Sequence, residues 1–149
     1  MEAVKEETRA LIGAMGLGDT IEDIETYQGT TSRVAVRTRG DARMLIGEHG
    51  NNLAALEHII RRIIAKKQGI EAHFTLDIND YRMKRLEDLK QDVKSAAHAV
   101  RIYKKPVPLR PMSSFERRIV HLLLAEYPDI ATESVGVDAE RRVVIKPYP

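Results

Sequence analysis

The sequence predicts an α+β fold, because segments with helical periodicity alternate with segments that have the periodicity of strands. In some stretches apolar residues recur at steps of three and four, and in others they alternate with polar residues. With 149 residues, 43% of them hydrophobic and 31% charged, the chain is long enough for one ordinary domain or two small ones. It contains no cysteine, so no disulfide supports the fold and packing must stabilise it.

The first part of the chain is predicted to run helix, strand, strand, helix, helix, strand. The first helix is indicated by Val4, Thr8, Leu11, Ile12 and Met15, and the glycine-rich stretch GAMGLG ends it. Strands are predicted over 20–28, 32–39 and 72–78, with a short helix over 41–46 between the second and the third. The longer helix before the third strand has an apolar stripe at Leu53, Leu56, Ile60, Ile63 and Ile64, and Gly69 ends it.

The second strand alternates cleanly and is predicted to have a basic outer face. Val34 and Val36 are expected to point to the core. The outward residues are then Arg33, Ala35, Arg37 and Arg39.

The stretch LIGEHGNN, residues 45–52, is predicted to be a tight glycine turn that leads into a helix N-terminus. Gly47 and Gly50 lack a Cβ, so the backbone there can turn sharply or approach another molecule. Asn51 and Asn52 are good N-cap residues before the helix that begins at Leu53. Unpaired N–H groups at such a terminus suit a phosphate, but a helix-turn-helix corner that binds nothing is the more common explanation of a short glycine motif.

The second part is predicted to contain two helices and then two strands. Asn79 or Asp80 can cap a long helix whose apolar positions are Leu86, Leu89, Val93, Ala96, Val100 and Tyr103, and Pro106 and Pro108 end it. In SSFE, Ser113 and Glu116 form a capping box for a helix with its apolar face at Phe115, Ile119, Leu122 and Leu123. IATESVGV and RRVVIKPY follow as strands joined by a turn at Asp138 and Ala139.

Composition limits the possible functions. The net charge is only +2, with −2 on residues 1–78 and +4 on residues 79–149, so any nucleic-acid binding must depend on local basic patches. No apolar run approaches the roughly 18 residues of a membrane span, and the polar N-terminus does not resemble a signal peptide, so we expect a cytoplasmic protein. No metal-ligand spacing, nucleophile triad or phosphate-binding GKS or GKT motif is present, so neither a cofactor nor an enzymatic activity is expected.

Three features occur together in the expected order: GEHG between two helices, ERRIVH with Arg117 and His121 four residues apart, and the pair TESVG and RRVVI. Over nearly the whole chain they resemble the bacterial Jag family. In that family a KH domain is followed by a domain named for its Arg-x-x-x-His motif, the R-3-H domain. The resemblance implies a prokaryotic-type KH domain over 1–78 and a small R-3-H domain over 79–149 that includes the long connecting helix.

The resemblance also implies binding of single-stranded RNA, since KH loops clamp the backbone of about four nucleotides. The residues expected to contact RNA are Gly47, Glu48, His49, Gly50, Asn51, Asn52, Arg33, Arg37, Arg39, Arg43, Arg117, Arg118 and His121. With aromatic residues at 5% and no tryptophan, contact with the backbone is expected to dominate over base stacking.

Two departures from the family pattern matter. The loop holds Glu48 and His49 where family members often have basic residues, and an exposed carboxylate repels phosphate. Family members also often carry an additional N-terminal domain and linker, which this sequence does not include. Two alternatives to single-stranded RNA therefore stay open: an adaptor for protein partners, which the sequence does not identify, or a single-stranded DNA binder with a degenerate loop.

The arginines of ERRIVH are the more informative candidates. Arg117 and Arg118 lie near a helix N-terminus, where positive charge is disfavoured by about 0.3–1 kcal/mol, so their removal is expected to cost little stability. Arg117 and His121 share a helix face and are expected to bind one phosphate together. The alternative is a structural pair bonded to a neighbouring carboxylate, Glu116 or Glu133.

Overall fold

Helices and strands alternate along the chain, and the α+β class is confirmed. The structure, a computed structural model, describes residues 1–149, which form two compact units: residues 1–82, the N-terminal unit, and residues 83–149, the C-terminal unit. None of the helices is both long enough and apolar enough to cross a membrane.

The elements of the N-terminal unit follow the predicted order. They are α1 (Glu2–Ala14), β1 (Ile21–Tyr27), β2 (Ser32–Thr38), α2 (Arg43–Ile46), α3 (Asn51–Gln68) and β3 (Phe74–Ile78). The strands form one sheet in the order β1-β2-β3, in which β1 and β2 are antiparallel and β2 and β3 are parallel. A parallel pair needs a crossover connection, and α2 and α3 provide it.

The core of this unit is built from the predicted apolar positions of α1 and α3 and from the strands. Ile12, Val34, Ile60 and Leu76 are completely buried. Ala35 is only 3% exposed, which corrects the expectation that it lies on a solvated face. The middle of β2 is thus buried on both faces, and its arginines flank this buried centre.

Glu57 on α3 is a largely buried carboxylate held by three partners. One oxygen accepts the backbone N–H of Leu76 at 2.9 Å and a guanidinium N–H of Arg82 at 3.1 Å, and the other pairs with Arg61 at 3.0 Å. Arg61 also donates to the carbonyl of Phe74. Because buried charges are tolerated only when they are paired and hydrogen-bonded, these contacts account for an acidic residue in the core.

The connection from β3 to the next helix is held by hydrogen bonds from two side chains, those of Asn79 and Asp77. The side chain of Asn79 makes two hydrogen bonds with Thr38. Its oxygen accepts the backbone N–H of Thr38 at 3.0 Å, and its amide nitrogen donates to the Thr38 hydroxyl at 2.8 Å. Asp77 accepts the N–H of Arg82 in the first turn of the helix at 3.1 Å. A residue of β3 itself therefore contributes to the helix start.

The C-terminal unit contains one strand that the sequence did not indicate. Its elements are α4 (Tyr81–Tyr103, whose first two residues belong to the N-terminal unit), β4 (Val107–Pro108), α5 (Ser114–Leu124), β5 (Ile130–Val135) and β6 (Arg142–Pro147). The sheet order is β4-β6-β5, with both pairings antiparallel. β4 is only two residues long, Val107 and Pro108. Because it is so short and lies beside Pro106, the sequence pattern indicates only the end of the preceding helix at this point.

The predicted apolar face of α4 is confirmed at Leu89, Val93, Ala96 and Val100 but not at Tyr103, and that of α5 is largely different. Tyr103, assigned to the core, is 69% exposed. On α5 the buried side chains are Glu116, Val120 and Leu124, whereas Phe115 is 70% exposed. The predicted apolar face of α5 is therefore wrong at Phe115 and Leu122, whereas Ile119 packs against the core as predicted.

Candidate nucleic-acid interface

The two glycines of the GEHG turn are required by the chain itself. Gly47 has φ 74° and ψ 176°, and Gly50 has φ 76° and serves as the N-cap of α3. A Cβ on Gly47 would lie 2.6 Å from Cγ and 2.8 Å from the backbone nitrogen of Asn52, closer than real Cβ atoms approach. Local packing thus explains Gly47 without any ligand.

Gly50 has a similar role on the other side of the turn. A Cβ there would lie 3.0 Å from Cε1 of Tyr81, a ring carbon at the start of α4. His49 between the glycines also adopts positive φ, at 55°. The turn is consequently a tightly fitted structure that presents a defined surface.

The asparagines after the turn do not cap α3. Gly50 is the N-cap, no side chain accepts a hydrogen bond there, and Asn51 is already the first residue of the helix. Asn52 instead donates from its amide to the carbonyl of Met44 at 2.8 Å and so ties α3 to α2. The start of α3 therefore lacks a side-chain acceptor, and its partial positive charge is available to an anion.

The side chains between the glycines place a carboxylate outermost. Glu48 is 71% exposed, whereas His49 is 20% exposed, and the two side chains approach within 3.7 Å. The exposed carboxylate opposes the favourable potential of the helix terminus. The loop is consequently a weaker anion site than a basic loop would be.

Two of the four arginines around β2 are paired with carboxylates. Arg37 binds both oxygens of Asp80, at 2.8 and 3.3 Å, and this hydrogen bonding raises the pKa of Arg37. Arg43 donates its backbone N–H and its side chain to Asp41, and the backbone bond is the larger cause of the lowered pKa of Asp41. The charges of these two arginines are largely compensated.

The other two arginines remain available. Arg33 stacks its guanidinium on the ring of Tyr27, 4.9 Å from the centroid, a geometry that leaves its charge without a carboxylate partner. Arg39 makes no side-chain ion pair, and its backbone N–H binds the carbonyl of Thr20 at 2.7 Å. The basic patch of the N-terminal unit therefore reduces to Arg33 and Arg39.

In the C-terminal unit the predicted cap positions α5. Ser113 accepts the backbone N–H of Glu116 at 3.2 Å, so this N-cap is confirmed. Arg117, one turn into the helix, donates to the carbonyl of Met112 at 2.9 Å. One guanidinium N–H of Arg117 thus holds the chain just before the helix. The other N–H groups of this guanidinium make no hydrogen bond within the chain.

His121 is fixed by β5. Its Nδ1 lies 2.6 Å from the hydroxyl oxygen of Thr132, and its Nε2 lies 3.1 Å from that of Ser134. Hydroxyls both donate and accept, so either tautomer of the imidazole is satisfied. Both ring nitrogens are occupied, and binding of phosphate by His121 would require one of these hydroxyls to move.

The carboxylates proposed as structural partners of these two residues are engaged elsewhere. Glu116 pairs with Arg85, and Glu133 pairs with Lys146 at 2.8 Å. The alternative in which Glu116 or Glu133 holds Arg117 or His121 is therefore wrong. The observed partners are a backbone carbonyl and two hydroxyls.

Helix α5 carries an exposed apolar ridge that its sequence pattern did not indicate. Phe115 and Leu122 are 70% and 68% exposed, and Arg118, at i+3 from Phe115, is exposed beside them without an ion pair. We call these three residues the outer ridge. The capping box in the sequence could have indicated this ridge. It turns Glu116 toward Ser113, so the buried face of α5 runs through Glu116, Val120 and Leu124.

The C-terminal unit matches a known class of domain. Residues 84–147 match the model of the R-3-H domain family, so this part of the chain is an R-3-H domain. Its helix α5 carries the arginine and the histidine from which the domain takes its name.

The chain is also related to bacterial proteins named RNA-binding protein KhpB, and the resemblance to the Jag family is confirmed. It is 32% identical over 120 residues to the protein of Clostridium symbiosum, covering 80% of this chain and 54% of that protein. It is 36% identical over 123 residues to that of Bacillus subtilis, covering 80% and 59%. For the protein of Lactiplantibacillus plantarum the identity is 36% over 102 residues, covering 68% and 32%. The chain thus spans between about a third and three fifths of the length of these relatives.

Proposed function

We propose that the chain is a single-stranded RNA-binding protein with one contact surface on each unit and no catalytic role. The R-3-H domain and relatives named as RNA-binding proteins support the proposal. The observation that carries it is the outer ridge of α5, where an arginine without a carboxylate partner lies beside an exposed phenylalanine.

The ridge has the chemistry that single-stranded nucleic acid requires. Arg118 offers a cation to a phosphate, and Phe115 offers an exposed ring on which a base can stack whatever its identity. Arg117 adds guanidinium donors one residue away, held in position by the carbonyl of Met112. Backbone contact and stacking are then both available on one helix, which extends the expectation of backbone contact alone.

The N-terminal contact depends on the proposal that residues 1–78 are a KH domain followed by the R-3-H domain over 79–149. The order of elements and the glycine turn before α3 support it. RNA would approach the N-terminus of α3 at the GEHG turn, with Arg33 and Arg39 as the available cations. Compensation of Arg37 and Arg43 by Asp80 and Asp41 makes this the weaker surface.

A second candidate function, docking of a protein partner, is favoured at the GEHG surface by one observation. Glu48 is 71% exposed at the tip of the turn, where a phosphate would have to approach. A partner with a basic group would pair with this carboxylate. In this candidate only the C-terminal unit binds RNA.

Titration with fluorescent single-stranded RNA, duplex RNA and single-stranded DNA at several salt concentrations tests the proposed function. Single-stranded RNA is expected to bind best, with log K falling against log salt by about 0.7 per phosphate contact. Phe115→Ala and Arg118→Ala are each expected to weaken binding about five-fold or more without lowering the melting temperature.

Tyr103→Ala is the matched control for Phe115→Ala, because Tyr103 is 69% exposed on α4 and lies outside the ridge. Absence of binding to any single-stranded RNA at low salt would refute the proposed function. Equal affinity for single-stranded DNA would instead support the DNA alternative.

A further inference from the structure

A groove of about 680 Å³ lies between α4 and the C-terminal end of α5, entirely within the C-terminal unit. One wall is a row of basic side chains on α4: Lys90, Lys94, His98 and Arg101. The other wall is formed mainly by Leu123, Leu124 and Tyr127. We call it the α4–α5 groove.

The basic wall has unused charge. Lys90 and Lys94 are exposed and make no ion pair, and they are one helical turn apart, about 6 Å along the axis. Such a row matches an extended polyanion, whose charges follow one another at regular intervals. The two lysines therefore form a compact cationic site with no internal neutralising partner.

The opposite wall presents a partly organised aromatic ring. Tyr127 is 45% exposed, and the guanidinium of Arg101 lies 4.8 Å from its ring centroid. Asp129 holds Arg101 in place through bonds of 2.9 and 3.3 Å. Together they restrain the ring that faces the groove, which lowers the entropy cost of stacking another planar group.

The groove is separate from the surface that contains His121. His121 contacts β5 through Thr132, whereas Leu123 lines the groove against α4. Residues two positions apart in a helix are separated by about 200° around its axis. The side chains of His121 and Leu123 therefore lie on opposite flanks of α5. The outer ridge occupies the remaining, solvent-facing side.

The balance of polar and apolar groups favours a nucleic acid over an acidic amphipathic helix as the occupant. A docking helix requires a continuous apolar stripe of several anchors. Here only Leu123 and Tyr127 are apolar and substantially exposed, because Val93, Ala97 and Leu124 are buried in the core of the unit. Two apolar contacts beside a row of cations suit one or two bases and their phosphates.

We propose that the α4–α5 groove binds single-stranded RNA, with phosphates along Lys90 and Lys94 and a base against Tyr127. The proposal rests on the proposed function and adds to it a third contact surface that does not involve the Arg-x-x-x-His motif. It also implies that bound RNA contacts the outer ridge and the flank of α5 that carries Leu123.

The test compares the wild-type chain with the double variant Lys90→Ala, Lys94→Ala in titrations with a long single-stranded RNA. Loss of two phosphate contacts is expected to reduce affinity on the order of ten-fold at about 0.1 M salt and to lower the salt slope by about 1.4. Tyr127→Ala is expected to reduce affinity about five-fold or more. The control Lys66→Ala, Lys105→Ala removes the same charge at exposed positions outside the groove and should change neither quantity by as much.

Two failures are distinguishable. If wild-type protein binds no RNA, the proposed function fails and this proposal fails with it. If wild-type protein binds and the folded Lys90→Ala, Lys94→Ala variant shows unchanged affinity and salt slope, only the groove proposal is overturned. Retained melting temperatures for each variant exclude misfolding as the cause of a loss.

Discussion

Glu48 and Gly47, adjacent in the GEHG turn, have different roles that the structure separates. Glu48 points outward and influences what approaches the turn, whereas Gly47 is required by contact with Asn52. Substitutions at the two positions should therefore affect different measurements.

Glu48→Lys is expected to tighten binding of single-stranded RNA at low salt, because it replaces a repelling charge with an attracting one beside the N-terminus of α3. The gain should shrink as salt screens the charge. Glu71→Lys, an equal charge change at another exposed position, is the control. An effect no larger than that of the control would remove the turn from the RNA surface and favour the docking candidate.

Gly47→Ala is expected to destabilise the N-terminal unit by about 1–3 kcal/mol, through positive φ and the clash with Asn52. Gly69→Ala is a suitable comparison, since Gly69 has φ 66° with open space around its Cβ position. The difference in melting temperature between the variants measures the clash together with the extended ψ of 176° at Gly47, which L residues tolerate less well than the αL conformation of Gly69. Equal destabilisation would show that neither the clash nor this ψ adds to the cost of positive φ.

At the scale of elements, α5 is held by its cap and by polar contacts on one flank. Sequence analysis located the cap correctly, because a capping box is a local pattern of a few residues. It could not locate Thr132 and Ser134 as partners of His121, since strand residues distant in sequence meet the helix only after folding. The spacing of apolar residues also indicated the wrong face of α5, because the capping residue Glu116 occupies a buried position.

His121→Ala is expected to lower stability by about 1–3 kcal/mol, because it leaves the hydroxyls of Thr132 and Ser134 without their partner. This loss of stability is larger than the one expected from sequence for Arg117 and Arg118, whose charges lie near a helix N-terminus. Thermal denaturation and RNA titration of the same variant separate structure from binding. Unchanged melting temperature with weakened binding would make His121 a direct RNA contact.

The ion pair between Arg101 of α4 and Asp129, the residue before β5, should make stability depend on pH. The hydrogen bond from Arg101 lowers the pKa of Asp129, so the pair contributes stability above the unfolded pKa of about 3.9 and loses it as pH falls through the lowered value. Asp129→Asn is expected to reduce the melting temperature slightly at about pH 7 and to have little effect at about pH 3. Glu126→Gln, exposed and without an ion pair, is the control; an Asp129→Asn effect that persists at low pH would contradict the argument.

For the whole molecule, the sequence was sufficient to predict the α+β class and the order of the long elements. Periodicity indicates helices and strands such as α1 and β3 because each buries one face or stripe. It does not indicate β4, whose two residues pair with β6 only through tertiary contact. The sequence also does not show which arginines lack a carboxylate partner, since Asp80 pairs with Arg37 from 43 residues away.

The side chains of Glu57 and Arg61 have a consequence for association between molecules. β3 is an edge strand of its sheet, and an open edge can pair with a strand of another chain. Glu57 accepts the N–H of Leu76 and Arg61 donates to the carbonyl of Phe74, so two side chains of α3 occupy the hydrogen-bonding positions that an incoming strand would use. Two hydrogen-bonding groups on this edge are thereby already paired, so we expect them to oppose pairing with a strand of another chain. Glu57→Ala should free the N–H of Leu76 and remove the ion pairs with Arg61 and Arg82, and light scattering near the melting temperature should then show aggregation that the wild-type chain resists.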